Sequence, residues 1–236
     1  MMPLAEQYVR AGYAVYAVDL PGHGGSELPE LRSYDDLAAW LARVIDAIGR
    51  TPDLLSSNSY GSSVVYRYMV NGLLPQKTRV VLACPTPHTS HVANALQTVS
   101  VHVPKKASWA VYNIYLGRLI RGAVVMSSHD RAAWSWFLES EKYKKATTTS
   151  QVSNVLSTLL YNDNPFTVSP SLEVQRRVTV VMGARDRVVS EKARNAMRQL
   201  LPEAKIRIVP SAGHILHFEA WRDLLPDEPG ARNMIY

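Results

Sequence analysis

The stretch from Leu54 to Val65 leaves the backbone very few paths. Apolar Leu54-Leu55 lead into Ser56-Ser57-Asn58-Ser59-Tyr60-Gly61, and Val64-Val65 open an apolar-periodic segment at once. A strand that becomes a helix within so few residues holds its corner residue, here Ser59, in a strained conformation. The corner closes without a clash when the residues two before and two after it are small, and these are Ser57 and Gly61. Ser57 stands where the Gly-x-Ser-x-Gly pattern has its first glycine, which departs from the pattern but keeps its steric logic. The layout is that of a nucleophile elbow. The competing account is a serine-rich connection in which Ser62 or Ser63 merely caps the helix. An acid and then a histidine at comparable corners downstream would separate the two.

The rest of the chain alternates strand and helix patterns around this corner. Leu4 to Arg10 has the spacing of the last turns of a helix stopped by Gly12, and Tyr13 to Val18 is a strand running into the turn cluster Asp19-Leu20-Pro21-Gly22-His23-Gly24. His23 in such a turn is expected to be structural. Ser33 caps a helix carrying Leu37, Leu41, Val44, Ile45 and Ile48 at helical spacing, with Gly49 as its end. Asp53 to Ser56 forms the strand before the elbow, and the helix after it ends at Asn71-Gly72. Arg79 to Cys84 is an almost continuous apolar run, the pattern of a strand buried on both faces of a parallel sheet. From Pro85 to about Pro170 the alternation stops and aromatic helical segments take over, with Trp109, Tyr112, Tyr115, Trp134, Trp136 and Phe137 expected mainly as packing residues. Strand and helix then resume: Val178 to Met182, a helix capped by Ser190, Lys205 to Val209, and a short last helix with Phe218, Trp221 and Leu225. The expected architecture is α/β, a mostly parallel sheet flanked by helices, with residues 1–85 and 171–236 as the core and 86–170 as a helical lid insertion.

Composition removes several other classes. Cys84 is the single cysteine, so no internal disulfide can form, which suits a reducing compartment. There is no apolar run of spanning length and no signal-peptide pattern, and the expectation is a soluble, cytoplasmic protein with no membrane partner. The net charge of +6 comes from scattered Lys and Arg, with small clusters at Lys142, Lys144, Lys145 and at Arg176, Arg177. No recognition motif accompanies them, so they predict solvated surface rather than nucleic-acid contact. No residue spacing around Cys84 suggests a metal site.

Ser59, Asp186 and His214 each lie just past the C-terminal end of an expected strand, the edge where open α/β sheets bind ligands. With the order Ser, Asp, His, the chain resembles the lid-bearing α/β-hydrolase superfamily. The resemblance covers nearly all of it: Asp19 to Gly24 looks like the loop after the fourth strand, Ser57 to Gly61 like the elbow, Gly183 to Asp186 like the acid turn, and Gly213-His214 like the histidine turn. It implies Ser59 as nucleophile, His214 as general base, Asp186 as the carboxylate that fixes the imidazole, and Tyr60 N–H as an oxyanion donor. It also implies cleavage of an ester or related acyl bond in a small-molecule substrate through an acyl-serine, with neither metal nor organic cofactor. Two local alternatives stand beside this. Asp186 could pair with Arg185 or Arg187, and His217 lies three residues beyond His214, although its place in a helix favours His214. A serine at the elbow argues against the epoxide hydrolase and haloalkane dehalogenase branches.

One departure concerns the start of the chain. Members of the superfamily place three strands and a His-Gly loop before the helix that here ends at Arg10, and that loop supplies a second oxyanion donor. Without them, Tyr13–Val18 and Asp53–Ser56 are expected either to stand a strand-width apart with unpaired edges or to pair directly in a contracted sheet. Exposed edges would favour self-association, although the sequence sets no oligomeric state. The second expectation for function is therefore a catalytically silent, truncated homologue or a ligand-binding protein that keeps the pocket.

Overall fold

The computed structural model describes residues 3–88, 115–127, 129–226 and 233–235. In chain order the main elements are α1 (Pro3–Arg10), β1 (Ala14–Tyr16), α2 (Tyr34–Ile48), β2 (Leu54–Asn58), α3 (Tyr60–Val70) and β3 (Arg79–Ala83). Next come α4 (Tyr115–Val125), α5 (Arg131–Thr147), α6 (Ser150–Asn162) and α7 (Leu172–Gln175). The last are β4 (Val178–Gly183), α8 (Glu191–Leu200), β5 (Lys205–Val209), α9 (Leu216–Glu219) and β6 (Asn233–Ile235). Among the described residues, no helix is long and apolar enough to cross a membrane.

The six strands form one parallel sheet in the order β1-β6-β2-β3-β4-β5. Alternation along the strands splits the core into two layers. Leu55, Val80, Leu82, Val180 and Met182 face the layer of α2 and α3, while Leu54, Val81, Ala83, Val181 and Val209 face the layer that holds Leu4 and Tyr8 of α1. Local chemistry accounts for the helix ends. Ser33 and Asp36 form a reciprocal capping box on α2, Gly49 closes it at φ 70°, and Ser190 caps α8 by accepting from Ala193 N.

The expected gap between the first two strands is a strand wide and is filled. β6 lies between them, pairing Ala14, Val15 and Tyr16 with Asn233, Met234 and Ile235 on one side and Leu54 and Leu55 with Met234 and Ile235 on the other. Neither unpaired edges nor direct pairing of β1 with β2 is found. β1 covers Ala14–Tyr16 of the expected run Tyr13–Val18 and pairs along its whole length with β6. Tyr13 instead donates its N–H to Tyr8 O at 3.0 Å and packs its ring edge-on against Tyr8.

Within the expected insertion, α4, α5 and α6 are helical; Trp109 and Tyr112 lie outside the described residues. An Arg121–Glu141 ion pair joins α4 to α5. Met126, Ala133 and Phe137 form a cluster with Phe218 of α9, so these helices are packed onto the core beside the histidine turn. At the other end, Asp163 accepts from Tyr34 N at 2.7 Å and ties the end of α6 to the start of α2.

Candidate active site

Ser59 is the hinge between β2 and α3, with φ 52° and ψ −115°. Only it and Cys84 have positive φ among the described non-glycine residues. Such a conformation costs about 1–3 kcal/mol and persists only where the surroundings hold it. Here the Ser59 N–H donates to Ala83 O at 2.8 Å, pinning the corner to the neighbouring strand. Ser57 does more than fit, since its Oγ donates to Val81 O at 3.2 Å and lies 3.2 Å from Ser62 Oγ, which in turn donates to Ala83 O at 2.9 Å. A serine in the place of glycine therefore adds a stitch between β2, β3 and α3. Ser62 is thus occupied with the sheet rather than with capping, and α3 has no side-chain cap bond at Ser59. Gly61 is less constrained than its place in the pattern suggests, because a Cβ there would stand 3.7 Å from Ser57 Cβ, an ordinary contact.

Asp186 follows β4. Its Oδ1 accepts from the N–H groups of Val188 at 2.7 Å and Val189 at 2.9 Å, and its Oδ2 lies 2.8 Å from His214 Nδ1. Burial pushes this carboxyl's pKa up, but the hydrogen bond and charge of His214 together with the two N–H donors outweigh it, and the net direction is down. The pairing of Asp186 with flanking arginines is not what its oxygens do; Arg187 donates instead to Ala123 O at 2.6 Å. Gly183 lets the acid and histidine turns meet, since a Cβ there would overlap the carbonyl oxygens of Ala212 and Gly213.

His214 is buried, at 5% exposure, and its Nε2 lies 2.7 Å from Ser59 Oγ. With Asp186 ionised, Nδ1 carries the proton and Nε2 is left to accept from the serine hydroxyl. The structure thus brings Ser59, His214 and Asp186 into one hydrogen-bonded line. His217 sits in α9, where burial, and secondarily the charge of His214, drive its pKa down to about 3. A ring that weakly basic is a poor proton acceptor at neutral pH. His23 stays in its turn, with Nδ1 3.2 Å from Pro21 O.

Tyr60 opens α3, and among the described residues no acceptor is paired with its N–H. Cys84 Sγ donates to Gly213 O at 3.8 Å, and burial, reinforced by the Asp186 charge, holds its thiol well above the usual range, so it is a protonated neighbour of the site. Its sulfur lies within 4.8 Å of ligand atoms of Asp186 and His214, but those atoms are engaged with each other. A cavity of about 260 Å³ lies beside the elbow, among the loop after β1, β2, α2 and α3, lined by Leu20, Trp40, Leu41, Leu55, Asn58 and Gly61. It lies on the far side of β2 from the strands that precede Asp186 and His214.

Residues that pattern reading did not single out also contribute. Glu219, five positions beyond His214 on α9, accepts from Gly213 N and Ser127 N. Its only sequence signal is an acid in the helix that follows the histidine turn.

A model of the alpha/beta hydrolase family matches residues 2–227. No curated protein matches the chain. Among solved structures, the chain is similar to a putative aryl esterase from Burkholderia cenocepacia, with TM-score 0.63 and 16% identity over 87% of this chain and 76% of that one. It is similar to an esterase from Exiguobacterium antarcticum, with TM-score 0.62 and 14% identity over 87% and 76%. It is also similar to the 2-hydroxy-6-oxo-6-phenylhexa-2,4-dienoate hydrolase from a Rhodococcus strain, with TM-score 0.62 and 16% identity over 87% and 74%. At these identities the solved structures speak for the fold, and the match over residues 2–227 places the chain in the alpha/beta hydrolase family.

Proposed function

We propose that the protein is a serine hydrolase that cleaves an ester or related acyl bond in a small molecule. The observation that carries this is the continuous line from Ser59 Oγ through His214 to Asp186, with both links at 2.7–2.8 Å and the far end fixed by two backbone N–H groups. Ser59 Oγ attacks the acyl carbon while His214 Nε2 takes its proton. The charge that forms on the imidazole is balanced by Asp186, whose lowered pKa keeps it ionised. Tyr60 N–H stands at the start of α3, where the helix dipole also favours an oxyanion. His214 then protonates the departing alcohol, and a water activated by the same nitrogen releases the acid. Cavities flank the site on two sides, one beside the elbow lined by Trp40, Leu41 and Leu55 and one beside the acid turn lined by Met126, Ser127, Arg185 and Arg187. The esterase names among the similar structures point to the same reaction.

The test is labelling by a fluorophosphonate, which phosphonylates an activated serine, together with turnover of p-nitrophenyl acetate. The expected result is labelling of the parent that is lost in Ser59→Ala and His214→Ala. A folded parent that neither labels nor turns over would refute the proposal and leave the catalytically silent, ligand-binding reading in its place.

A further inference from the structure

The strap formed by the last turn of α4 and the residues just after it is stitched to both turns that carry the proton-relay residues. Its Val125 O accepts from His214 N at 2.7 Å. Ser127 Oγ donates to Arg185 O at 3.0 Å, one residue before Asp186, while Arg187, one residue after it, donates to Ala123 O. The half-buried carboxylate of Glu219 closes the arrangement: Oε1 accepts from Ser127 N at 2.5 Å and Oε2 from Gly213 N at 3.0 Å. The crossing is so close that position 213 has no room for a side chain. A Cβ there would stand 2.8 Å from Val125 O, 2.9 Å from Ser127 N and 3.0 Å from Glu219 Oε2. Below the strap, Met126 is buried against the cluster with Phe137 and Phe218, so the strap is also anchored by apolar contact.

From this geometry we infer that Glu219 is a positioning residue that clamps the histidine turn to the helical insertion, so that the alignment of His214 on Ser59 depends on where α4 ends. The inference rests on the serine-hydrolase reading, because it assigns Glu219 a task in that reaction. The mechanism is geometric. The backbone N–H groups of Gly213 and His214 are both held by groups outside their own turn, one by Glu219 and one by Val125 O. Removing the carboxylate frees the N–H groups of Gly213 and Ser127 together, and the histidine turn keeps only one of these two backbone N–H anchors, that of His214 to Val125 O.

The experiment compares the full chain with Glu219→Ala and Glu219→Gln. Glutamine keeps one carbonyl oxygen and turns an N–H donor toward the second backbone N–H, so it preserves half of the clamp. For p-nitrophenyl acetate, kcat is measured per site titrated with fluorophosphonate, and KM separately. The expected result is a fall in kcat per titrated site of about 10- to 100-fold in Glu219→Ala, a smaller fall in Glu219→Gln, and little change in KM. A residue that served stability alone would lower the fraction of titratable sites and leave kcat per site unchanged, which would overturn the inference. Proton NMR supplies a readout that needs no turnover. The far-downfield Nδ1–H signal of His214, assigned by its loss in Asp186→Asn, is expected in the parent and broadened by solvent exchange in both Glu219 variants. An inactive parent that shows this signal, with loss of the signal in the variants, would refute hydrolysis by Ser59 and leave the clamp standing. A signal as sharp in Glu219→Gln as in the parent would overturn the clamp, whether or not Glu219→Ala folds.

Discussion

His217 offers a quantitative test of the electrostatics around the site. The ring nitrogen Nδ1 is sealed from solvent, and burial holds the imidazole neutral in the folded chain to a pKa of about 3, against 6.5 when the chain is unfolded. The sign follows from proton linkage. A depressed histidine pKa contributes stability that is present above 6.5 and lost as the pH falls toward the folded value, because only the unfolded state gains the proton. Between pH 7 and pH 5 the unfolded histidine goes from mostly neutral to almost wholly charged while the folded one stays neutral. The loss is about 2 kcal/mol, roughly 25-fold in the folding equilibrium. For a chain of this length that corresponds to about 4–8 °C in melting temperature. The carboxyls held low, Asp186 and Asp35, release their contribution only below their ordinary value of 3.8 and leave this window untouched. His23, also held low by burial, acts in the same direction, so the measurement is a difference of differences. Urea unfolding of the parent and of His217→Gln, each at pH 7 and pH 5, should show that the variant loses about 2 kcal/mol less on acidification. If both proteins lost the same amount, His217 would titrate normally in the fold, and the argument that it is too weak a base to compete with His214 would collapse.

Other expectations follow from single contacts. Asp186→Asn keeps the shape of the acid turn but removes the acceptor that sets the imidazole tautomer; kcat for p-nitrophenyl acetate should fall by about 10⁴-fold with the fold retained by circular dichroism. Gly183→Ala drives a Cβ into the carbonyl oxygens of Ala212 and Gly213 and should cost about 3 kcal/mol or more in urea unfolding. Gly61→Ala places its methyl at ordinary contact distance in a helix and should be neutral or stabilising by up to about 1 kcal/mol; strong destabilisation would show that the elbow is tighter than described. Met234→Pro removes an N–H from the strand between β1 and β2, and a melting temperature equal to the parent's would show that β6 carries no part of the sheet's stability.

The corners of the candidate site were the most legible elements in the sequence, because each directly follows a strand pattern and local sterics restrict the residues that fit there. Ser33, Gly49 and Ser190 announce their helix ends through one side chain or one left-handed φ, and all three do what their positions suggest. The three corners at Ser59, Asp186 and His214 could be placed because each follows a strand pattern directly. What stayed hidden depends on distant partners. Asn233-Met234-Ile235 carries too short a signal to be read as a strand, and its place is set by the two strands it joins. Glu219 looks like an ordinary helix acid until Ser127 and Gly213 are brought to it. Gly61 misleads in the opposite sense, since the motif singles it out while the space around it does not require it.

The position of β6 bears on how the molecule assembles. Ala14 pairs with Asn233, so two neighbouring ribs of the sheet lie far apart in sequence. Closing so large a loop is entropically expensive and kinetically late. Until residues 233–235 reach the sheet, β1 stands apart from the β2-β3 ladder, because β6 is the strand that pairs with both β1 and β2. Assembly of the sheet then follows contact distance rather than chain order: the β2-β3 ladder, whose strands are joined through one helix, can close before β1 is bridged to it.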